Sequence, residues 1–139
     1  MTRKIILLLT LVFTIASCNN PVGFKKPEDG LDAGREFIRA VLDGDYKKGE
    51  LYVLPDDEDF RIYKRYTGYM KKRPAEELSA LKAANIIVNK IETLNDSVQI
   101  INYANSYSNS PMNIKVIKKD GEWWVDFKYT FSGNLLIGE

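Results

Sequence analysis

Few residues in this sequence are of the types that transfer protons or hold metals. The 139 residues contain no histidine and a single cysteine, Cys18, which removes the commonest general base, the commonest metal ligand and any intrachain disulfide. An acid/base pair would have to join Glu92 to a tyrosine of the expected strands, Tyr103, Tyr107 or Tyr129. Because a lone carboxylate in a strand is more often a surface charge, we expect no catalytic residue, no cofactor and no metal ion.

Four consecutive acidic residues, Asp56 to Asp59, follow Pro55. A calcium loop alternates its oxygen ligands along the chain, whereas consecutive carboxylates that open a helix point in different directions. The basic run Lys71-Lys72-Arg73 follows at the distance of one helix, and acids at the start with bases at the end complement the helix macrodipole. The acidic run therefore predicts the start of a helix in preference to a calcium site.

Aromatic residues in the C-terminal half are candidates for lining a concave pocket. Amphipathic rings offer contact area and, in tyrosine, a hydroxyl group. The ligand-pocket candidates are Tyr103, Tyr107, Trp123, Phe127 and Tyr129. Aromatic residues are also expected in strands on propensity alone, so ordinary core packing is the simpler interpretation of the same residues.

The N-terminus has the order of a secretory leader. Arg3 and Lys4 precede an apolar stretch from Ile5 to Ile15, which has about the length of a signal h-region and is short for a bilayer span. The stretch ends in Ile15-Ala16-Ser17-Cys18, which resembles the lipobox of bacterial lipoproteins. That resemblance implies cleavage before Cys18, lipidation of its sulfur, and stable anchoring by two or three acyl chains. An ordinary signal peptide with a cysteine beside its cleavage site is the alternative.

Charge and composition limit the classes of partner and the number of domains that the chain can have. The 20 basic and 19 acidic residues give a net charge of +1, and loss of Arg3 and Lys4 with the leader gives 18 minus 19, so we expect no nucleic-acid partner. Residues 1–17 are assigned to the signal peptide, 18–27 to a flexible tether and 28–139 to one α+β domain. The lipid anchor and the absence of an acidic cluster after Cys18 favour a periplasm-facing position in the cell envelope.

Hydrophobic periodicity predicts helices first and strands afterwards. The expected helices run from Asp29 to Asp43, from Asp45 to Val53 with Gly49 allowing close backbone approach, from Asp56 to Arg73, and from Pro74 through Leu78 and Leu81. The expected strands are Ile86 to Leu94, Val98 to Tyr107, Ile114 to Lys119, and Trp123 to Phe131. This order predicts an α+β domain with N-terminal helices packed on a curved four-stranded antiparallel sheet.

Asp120-Gly121 is a type I′ hairpin turn, which fixes the register of the last two strands. It pairs Lys119 with Glu122 and, further out, Val116 with Val125. One face is then expected to carry Ile114, Val116, Trp123, Val125, Phe127, Tyr129 and Phe131. The opposite face is expected to pair Lys115 with Asp126 and Ile117 with Trp124.

Trp124 beside Ile117 is a large apolar pair on the face directed away from the helices. Such a pair, rimmed by charges, is typical of an interface anchor, and we consider it a candidate homodimer or partner interface. The alternative is that the apolar C-terminal residues Leu135, Leu136 and Ile137 fold back and cover Trp124.

The chain resembles the nuclear-transport-factor-like fold, a cystatin-like cone, and within it small bacterial envelope lipoproteins. The likeness lies in an apolar helix that ends in Asp43-Gly44-Asp45-Tyr46 and in the closing hairpin, whose Trp123 and Val125 are expected to point into the cone. Since this fold hosts enzymes, ligand carriers and partner-binding modules, the resemblance implies a pocket rather than an activity.

The leading functional hypothesis is a lipid-anchored, non-catalytic binding or adaptor module for a small apolar ligand, a peptide or an envelope protein. The alternative is a small cone-fold enzyme of the hydrolase or isomerase type that uses a carboxylate and a tyrosine, and a structural or immunity-type envelope protein is a third. An open cavity with facing titratable groups would favour the enzyme, whereas a cone filled by Trp123 and Phe127 would leave surface binding alone.

Overall fold

Four helices precede a four-stranded antiparallel sheet, and a fifth helix follows it, in the computed structural model, which describes residues 23–134 and their side chains up to Thr130. The helices are α1 (Gly30–Leu42), α2 (Tyr46–Glu50), α3 (Asp57–Met70), α4 (Ala75–Ala83) and α5 (Phe127–Asn134). The strands are β1 (Ile86–Asn95), β2 (Val98–Asn105), β3 (Met112–Lys119) and β4 (Glu122–Asp126). The expected signal peptide, Cys18 and residues 135–137 lie outside the described residues.

Aspartate side chains begin the first three helices. Asp29, Asp45 and Asp56 each accept a hydrogen bond from a backbone amide two or three residues ahead, at 2.8 to 3.0 Å. Each cap stabilises its helix by about 1 kcal/mol. Gly44 follows α1 with a φ of +74°, a left-handed conformation that glycine adopts without steric cost. The predicted positions of these helix starts, and of the turn after α1, are confirmed.

The sheet is an open meander in which each strand pairs with its neighbour in sequence, in the order β1-β2-β3-β4. The register of the closing hairpin is confirmed, with Lys119 opposite Glu122 and Val116 opposite Val125. Asp120 and Gly121 have φ values of 54° and 78°, as a type I′ turn requires. The predicted α+β class, with helices on one face of a four-stranded antiparallel sheet, is therefore confirmed.

The C-terminal element differs from the prediction. The last strand ends at Asp126 instead of Phe131, and the chain turns into helix α5 at Phe127. The backbone amide of Tyr129 donates to Asp126 Oδ1 at 3.0 Å, and that of Lys128 donates to Asp59 Oδ1 at 2.9 Å. These two carboxylates satisfy amides of the first helical turn. One of the two carboxylates, that of Asp59, belongs to α3. The alternating pattern of apolar residues after Trp123 therefore could not reveal the helix.

The second strand also ends earlier than predicted. Asn105 closes β2, and its Oδ1 accepts hydrogen bonds from the amides of Tyr107 at 3.1 Å and Ser108 at 2.9 Å. An asparagine that binds the backbone two and three residues ahead favours a turn over a continued ladder. Tyr107, expected on a strand, therefore lies in the loop between β2 and β3.

The core lies between the helices and one face of the sheet, which we call the inner face. Gly34 of α1 comes so close to β2 that a Cβ atom there would lie 2.8 Å from Ile101 Cδ1. Phe37, Tyr63 and Phe127 join α1, α3 and α5 in an aromatic cluster with ring centroids 5.3 to 5.9 Å apart. The opposite, outer face of the sheet carries no helix over most of its area among the described residues. Within residues 23–134, no helix has the length and apolar character needed to cross a bilayer.

Candidate ligand-binding cavity

A cavity of about 250 Å³ lies between the inner face of the sheet and helices α1, α3 and α4. Its walls are mainly apolar side chains contributed by every one of these elements and by α5. The principal wall residues are Phe37, Ile38, Met70, Leu81, Met112 and Phe127. Cavities of this composition bind small molecules by burying apolar surface, while a few polar groups orient the ligand.

Tyr103, which is buried, and Tyr66, which is partly buried, place phenol groups on the cavity wall. Tyr103 of β2 is 9% exposed, and Tyr66 of α3 packs against Phe127 with 5.3 Å between ring centroids. Burial raises the pKa of Tyr66 to about 12. Burial, reinforced by the nearby Tyr66, also raises the pKa of Tyr103 well above its usual value. Both phenols are therefore protonated near neutral pH, so they can donate a hydrogen bond but cannot act as bases.

Asn105 follows Tyr103 by two residues on the same face of β2 and also lines the cavity. It is 4% exposed. Its Oδ1 accepts the two backbone amides of the following turn, and this fixes the orientation of the side-chain amide. The Nδ2 amino group is the part left over for other partners.

Within the described part of the chain, the charged residues of the cavity lining are one arginine and one glutamate. Arg73 Nη1 donates to Glu77 Oε1, and the two residues stand one helical turn apart after the end of α3. Both side chains are partly exposed, and Tyr107, Ser108 and Ser110 of the loop between β2 and β3 complete a polar mouth. The cavity is thus apolar inside and polar where it meets solvent.

The structure brings together three of the five residues that the sequence predicts for a pocket. Tyr103, Tyr107 and Phe127 line the cavity. Trp123 does not line it but lies half-buried against the core, with Lys118 Nζ 5.9 Å from its ring centroid. Tyr129 lies on α5 instead of a strand and faces Lys115 on the outer face, 5.3 Å from ring centroid to Nζ.

The carboxylate of the acid/base pair considered from the sequence, Glu92, lies outside the cavity that Tyr103 and Tyr107 line. Glu92 is exposed on β1 and forms an ion pair with Lys90 at 3.5 Å. Glu92 and Tyr129 both line a shallow groove on the outer face of the sheet. All residues of β1 after Val88 are exposed, so this carboxylate stays in contact with solvent.

The sequence pattern missed the contributions of the helices to the cavity. Met70, Arg73 and Leu81 lie around the junction of α3 and α4, and the sequence showed only that these helices have an apolar side. Asn105 carried a usable signal, because Asn-Ser at the end of an apolar strand is typical of a turn. The way the helices cross the sheet decides which strand residues share a cavity with these helix residues.

The acidic run at the start of α3 divides into residues with different roles. Asp56 caps the helix, Asp57 and Glu58 are exposed, and Asp59 is fully buried, where it accepts the Lys128 amide. In the part of the chain from residue 23 to 134, no group of three or more Asp, Glu, His or Cys side chains is arranged to hold a metal ion.

The candidate interface residues on the outer face are paired as predicted. Ile117 lies opposite Trp124 and also opposite Val98, so the three form an apolar row across β2, β3 and β4. All three are half-buried. Lys115 and Asp126 form an ion pair at 3.1 Å beside the row.

Comparison with family models, with curated proteins and with solved structures finds no match to this chain. The class of protein is defined by the fold itself, a small α+β domain in which helices cover one face of an open, four-stranded antiparallel sheet.

Proposed function

We propose that this protein is a non-catalytic binding module, held at the bacterial cell envelope by lipid on Cys18, whose cavity receives a small apolar ligand. The single observation that carries the proposal is the cavity of about 250 Å³ with apolar walls and a polar mouth. A volume of this order admits a compact small molecule and is smaller than a typical drug-binding pocket. A folded peptide or a protein surface is too large for it.

The helices and the meander also support assignment to the nuclear-transport-factor-like cones. The chain places four helices before the strands, and its sheet ends in a tight hairpin whose Val125 is fully buried on the inner face. Members of that fold commonly use the space between helices and sheet for ligands, and the cavity lies in that space. This likeness supports a binding role and does not point to any particular reaction.

The distribution of titratable groups favours binding over catalysis. The cavity tyrosines have pKa values raised by burial, and Glu77 is held by Arg73 at the mouth. The enzyme alternative needs a carboxylate that faces a tyrosine inside the cone. Glu92 and Tyr129 instead line an exposed groove on the outer face. The carboxylate of Asp126 also lies on that outer face, paired with Lys115.

Native mass spectrometry of the full-length protein, extracted from its own envelope with its lipid attached, tests the proposal. We expect a small-molecule adduct in addition to the mass of the acyl chains. Met70→Trp should remove the adduct, because the larger ring would occupy the cavity that Met70 lines. Tyr69→Trp is the matched control on the same helix, since Tyr69 is 53% exposed and does not line the cavity.

Two results would contradict a cavity-binding function. One is the absence of any adduct on the wild-type protein under conditions that retain the acyl chains. The other is an adduct that persists equally in Met70→Trp and Tyr69→Trp, which would place the bound molecule elsewhere on the protein.

A further inference from the structure

The hydroxyl group of Tyr103 has no hydrogen-bond partner among the described residues. Tyr103 is 9% exposed and lines the cavity, and its hydroxyl is not one of the fully enclosed polar atoms that lack a partner. The hydroxyl can therefore be reached from the cavity, where a ligand can form a hydrogen bond with it.

The amino group of Asn105 is a second such feature. Because Asn105 Oδ1 accepts the amides of Tyr107 and Ser108, the amide cannot be turned over without losing both bonds. Nδ2 is then a donor; it has no hydrogen-bond partner within the described part of the chain, and it is not one of the fully enclosed atoms that lack a partner, so a ligand can reach it. Tyr103 and Asn105 are alternate residues of one strand, so their side chains leave the sheet on the same face about 7 Å apart.

We propose that the cavity binds a compact, neutral, mostly apolar molecule that carries a hydrogen-bond acceptor such as a carbonyl oxygen, and that the Tyr103 hydroxyl donates to this acceptor. The proposal rests on the proposed binding function and specifies its ligand class. Asn105 Nδ2 is a donor only, so a ligand that reaches both groups must present acceptors to them. The Tyr103 hydroxyl is here an orienting group and takes no part in a reaction.

The charges of the cavity lining exclude an anion as the preferred ligand. Among the residues that the structure describes, Arg73 is the single cationic residue and Glu77 the single anionic residue that line it, and the two are paired with each other. A carboxylate moved into the apolar interior would lose its hydration without gaining a free cation, which is unfavourable. A neutral carbonyl loses much less hydration, and a hydrogen bond from a buried donor replaces what it loses.

Three probes of nearly the same shape separate these alternatives. Acetophenone has the carbonyl acceptor, α-methylstyrene replaces its oxygen by a methylene group, and benzoate replaces the methyl ketone by a carboxylate. Binding is measured by ligand-observed NMR titration of the lipidated full-length protein in detergent micelles, with empty micelles subtracted. Partition into micelles is the same for all variants, so differences between variants report on the protein.

Tyr103→Phe removes one oxygen atom and keeps the ring that fills the wall. We expect this change to weaken acetophenone binding about tenfold, the value of one buried hydrogen bond, and to leave α-methylstyrene binding unchanged. Tyr69→Phe is the matched control, because the same atom is removed from an exposed ring outside the cavity. Benzoate should bind the wild type more weakly than acetophenone.

Any other result would show which step of the proposal is wrong. If Tyr103→Phe changes acetophenone and α-methylstyrene equally, or changes neither, the hydrogen bond to Tyr103 is refuted while apolar binding stands. If benzoate binds more tightly than acetophenone, the ligand class is wrong. If neither neutral probe binds the wild type, the proposed binding function fails together with this inference.

A second measurement does not depend on any variant being folded. A hydrogen bond lowers the infrared stretching frequency of a carbonyl group, so acetophenone bound to the wild type should absorb at lower frequency than acetophenone in an apolar solvent. A bound probe whose carbonyl frequency matches that in apolar solvent would overturn the proposal.

Discussion

Asp59 illustrates how one carboxylate in a charged run acquires its own role. It is fully buried, its Oδ1 accepts the Lys128 amide at 2.9 Å, and its Oδ2 has no hydrogen-bond partner among the described residues. Burial is the largest influence and raises the pKa of Asp59, and the charge of Asp126 raises it further, against the lowering effect of the Lys128 amide. The same residue that anchors the start of α5 therefore carries a charge that the folded state disfavours.

The pKa shift of Asp59 predicts a pH dependence of stability. Since the pKa in the folded state lies above the ordinary value of 3.8, the folded state binds the proton more tightly than the unfolded state. The wild type should lose stability relative to Asp59→Asn as the pH rises from about 3.8 through the folded pKa. Asparagine keeps an oxygen for the Lys128 amide and does not titrate, so it isolates the effect of ionisation.

Chemical unfolding at a series of pH values measures this difference. Asp57→Asn, two residues earlier in α3 and exposed, controls for the general change in net charge. A free-energy difference between wild type and Asp59→Asn that moves in favour of the wild type with rising pH, beyond the change seen with Asp57→Asn, would contradict the assignment.

At the scale of elements, close approaches between helices set how the domain packs. Gly49 of α2 packs on α3 so tightly that a Cβ atom would lie 2.3 Å from the Tyr63 hydroxyl. Tyr63 is 1% exposed, and its hydroxyl donates to the Tyr46 carbonyl at 2.8 Å. The hydroxyl is thus fixed from both sides, which confirms the close backbone approach that the sequence predicts at Gly49.

Gly49→Ala should lower the free energy of unfolding by about 2 to 3 kcal/mol, because the new methyl group displaces the Tyr63 hydroxyl from its hydrogen bond. Gly68→Ala on α3 is the matched control. A Cβ atom there meets nothing within 4 Å, so the higher helix propensity of alanine should leave stability unchanged or raise it by up to about 1 kcal/mol. Thermal and chemical unfolding of both variants measure the contrast.

A double variant tests whether the clash with the Tyr63 hydroxyl causes the loss of stability. Tyr63→Phe removes the oxygen atom that the alanine methyl would meet, so it should recover part of the stability lost in Gly49→Ala. Additive losses in the double variant would show that the contact with the Tyr63 hydroxyl is not the cause.

At the scale of the whole molecule, the cavity and the proposed lipid anchor belong to different parts of the chain. The last residues of the expected tether lie against the domain, since Phe24 packs on Tyr52 with ring centroids 5.3 Å apart and the Lys25 amide donates to the Tyr52 hydroxyl at 3.2 Å. Lys26 forms an ion pair with Glu122 at 2.7 Å. These contacts leave fewer residues between the expected lipid and the domain than the tether of 18–27 suggests.

Cys18→Ala tests the lipid anchor. The substitution should abolish incorporation of labelled fatty acid and move the domain from the membrane fraction to a soluble extracytoplasmic pool, because the acyl chains supply the membrane affinity. Asn19→Ala, at the next position, should keep the protein in the membrane fraction. A Cys18→Ala protein that stays as firmly membrane-bound as the wild type would show that the lipoprotein assignment is wrong.

The sequence correctly predicted those elements that are determined by residues close together in the chain. Asp120-Gly121 fixed the hairpin register, and the aspartate caps fixed where α1, α2 and α3 begin. The prediction of a strand from Trp123 to Phe131 was wrong from Phe127 onward. Alternation alone could not show that Asp59, distant in sequence, would offer a carboxylate to the amides of α5.

The sequence by itself determined the order of the first four helices and the four strands, the sheet register at the last hairpin, and the absence of histidine chemistry. These follow from side-chain period, turn stereochemistry and composition, which act over a few residues. Only the tertiary structure decided that Tyr103 and Phe127 share a cavity with residues of α3 and α4, while Trp123 and Tyr129 lie outside it. A cavity forms where the helices and the sheet do not pack against each other. Contacts such as that of Gly34 with Ile101 set how α1 crosses the sheet, and this crossing fixes the position of the cavity.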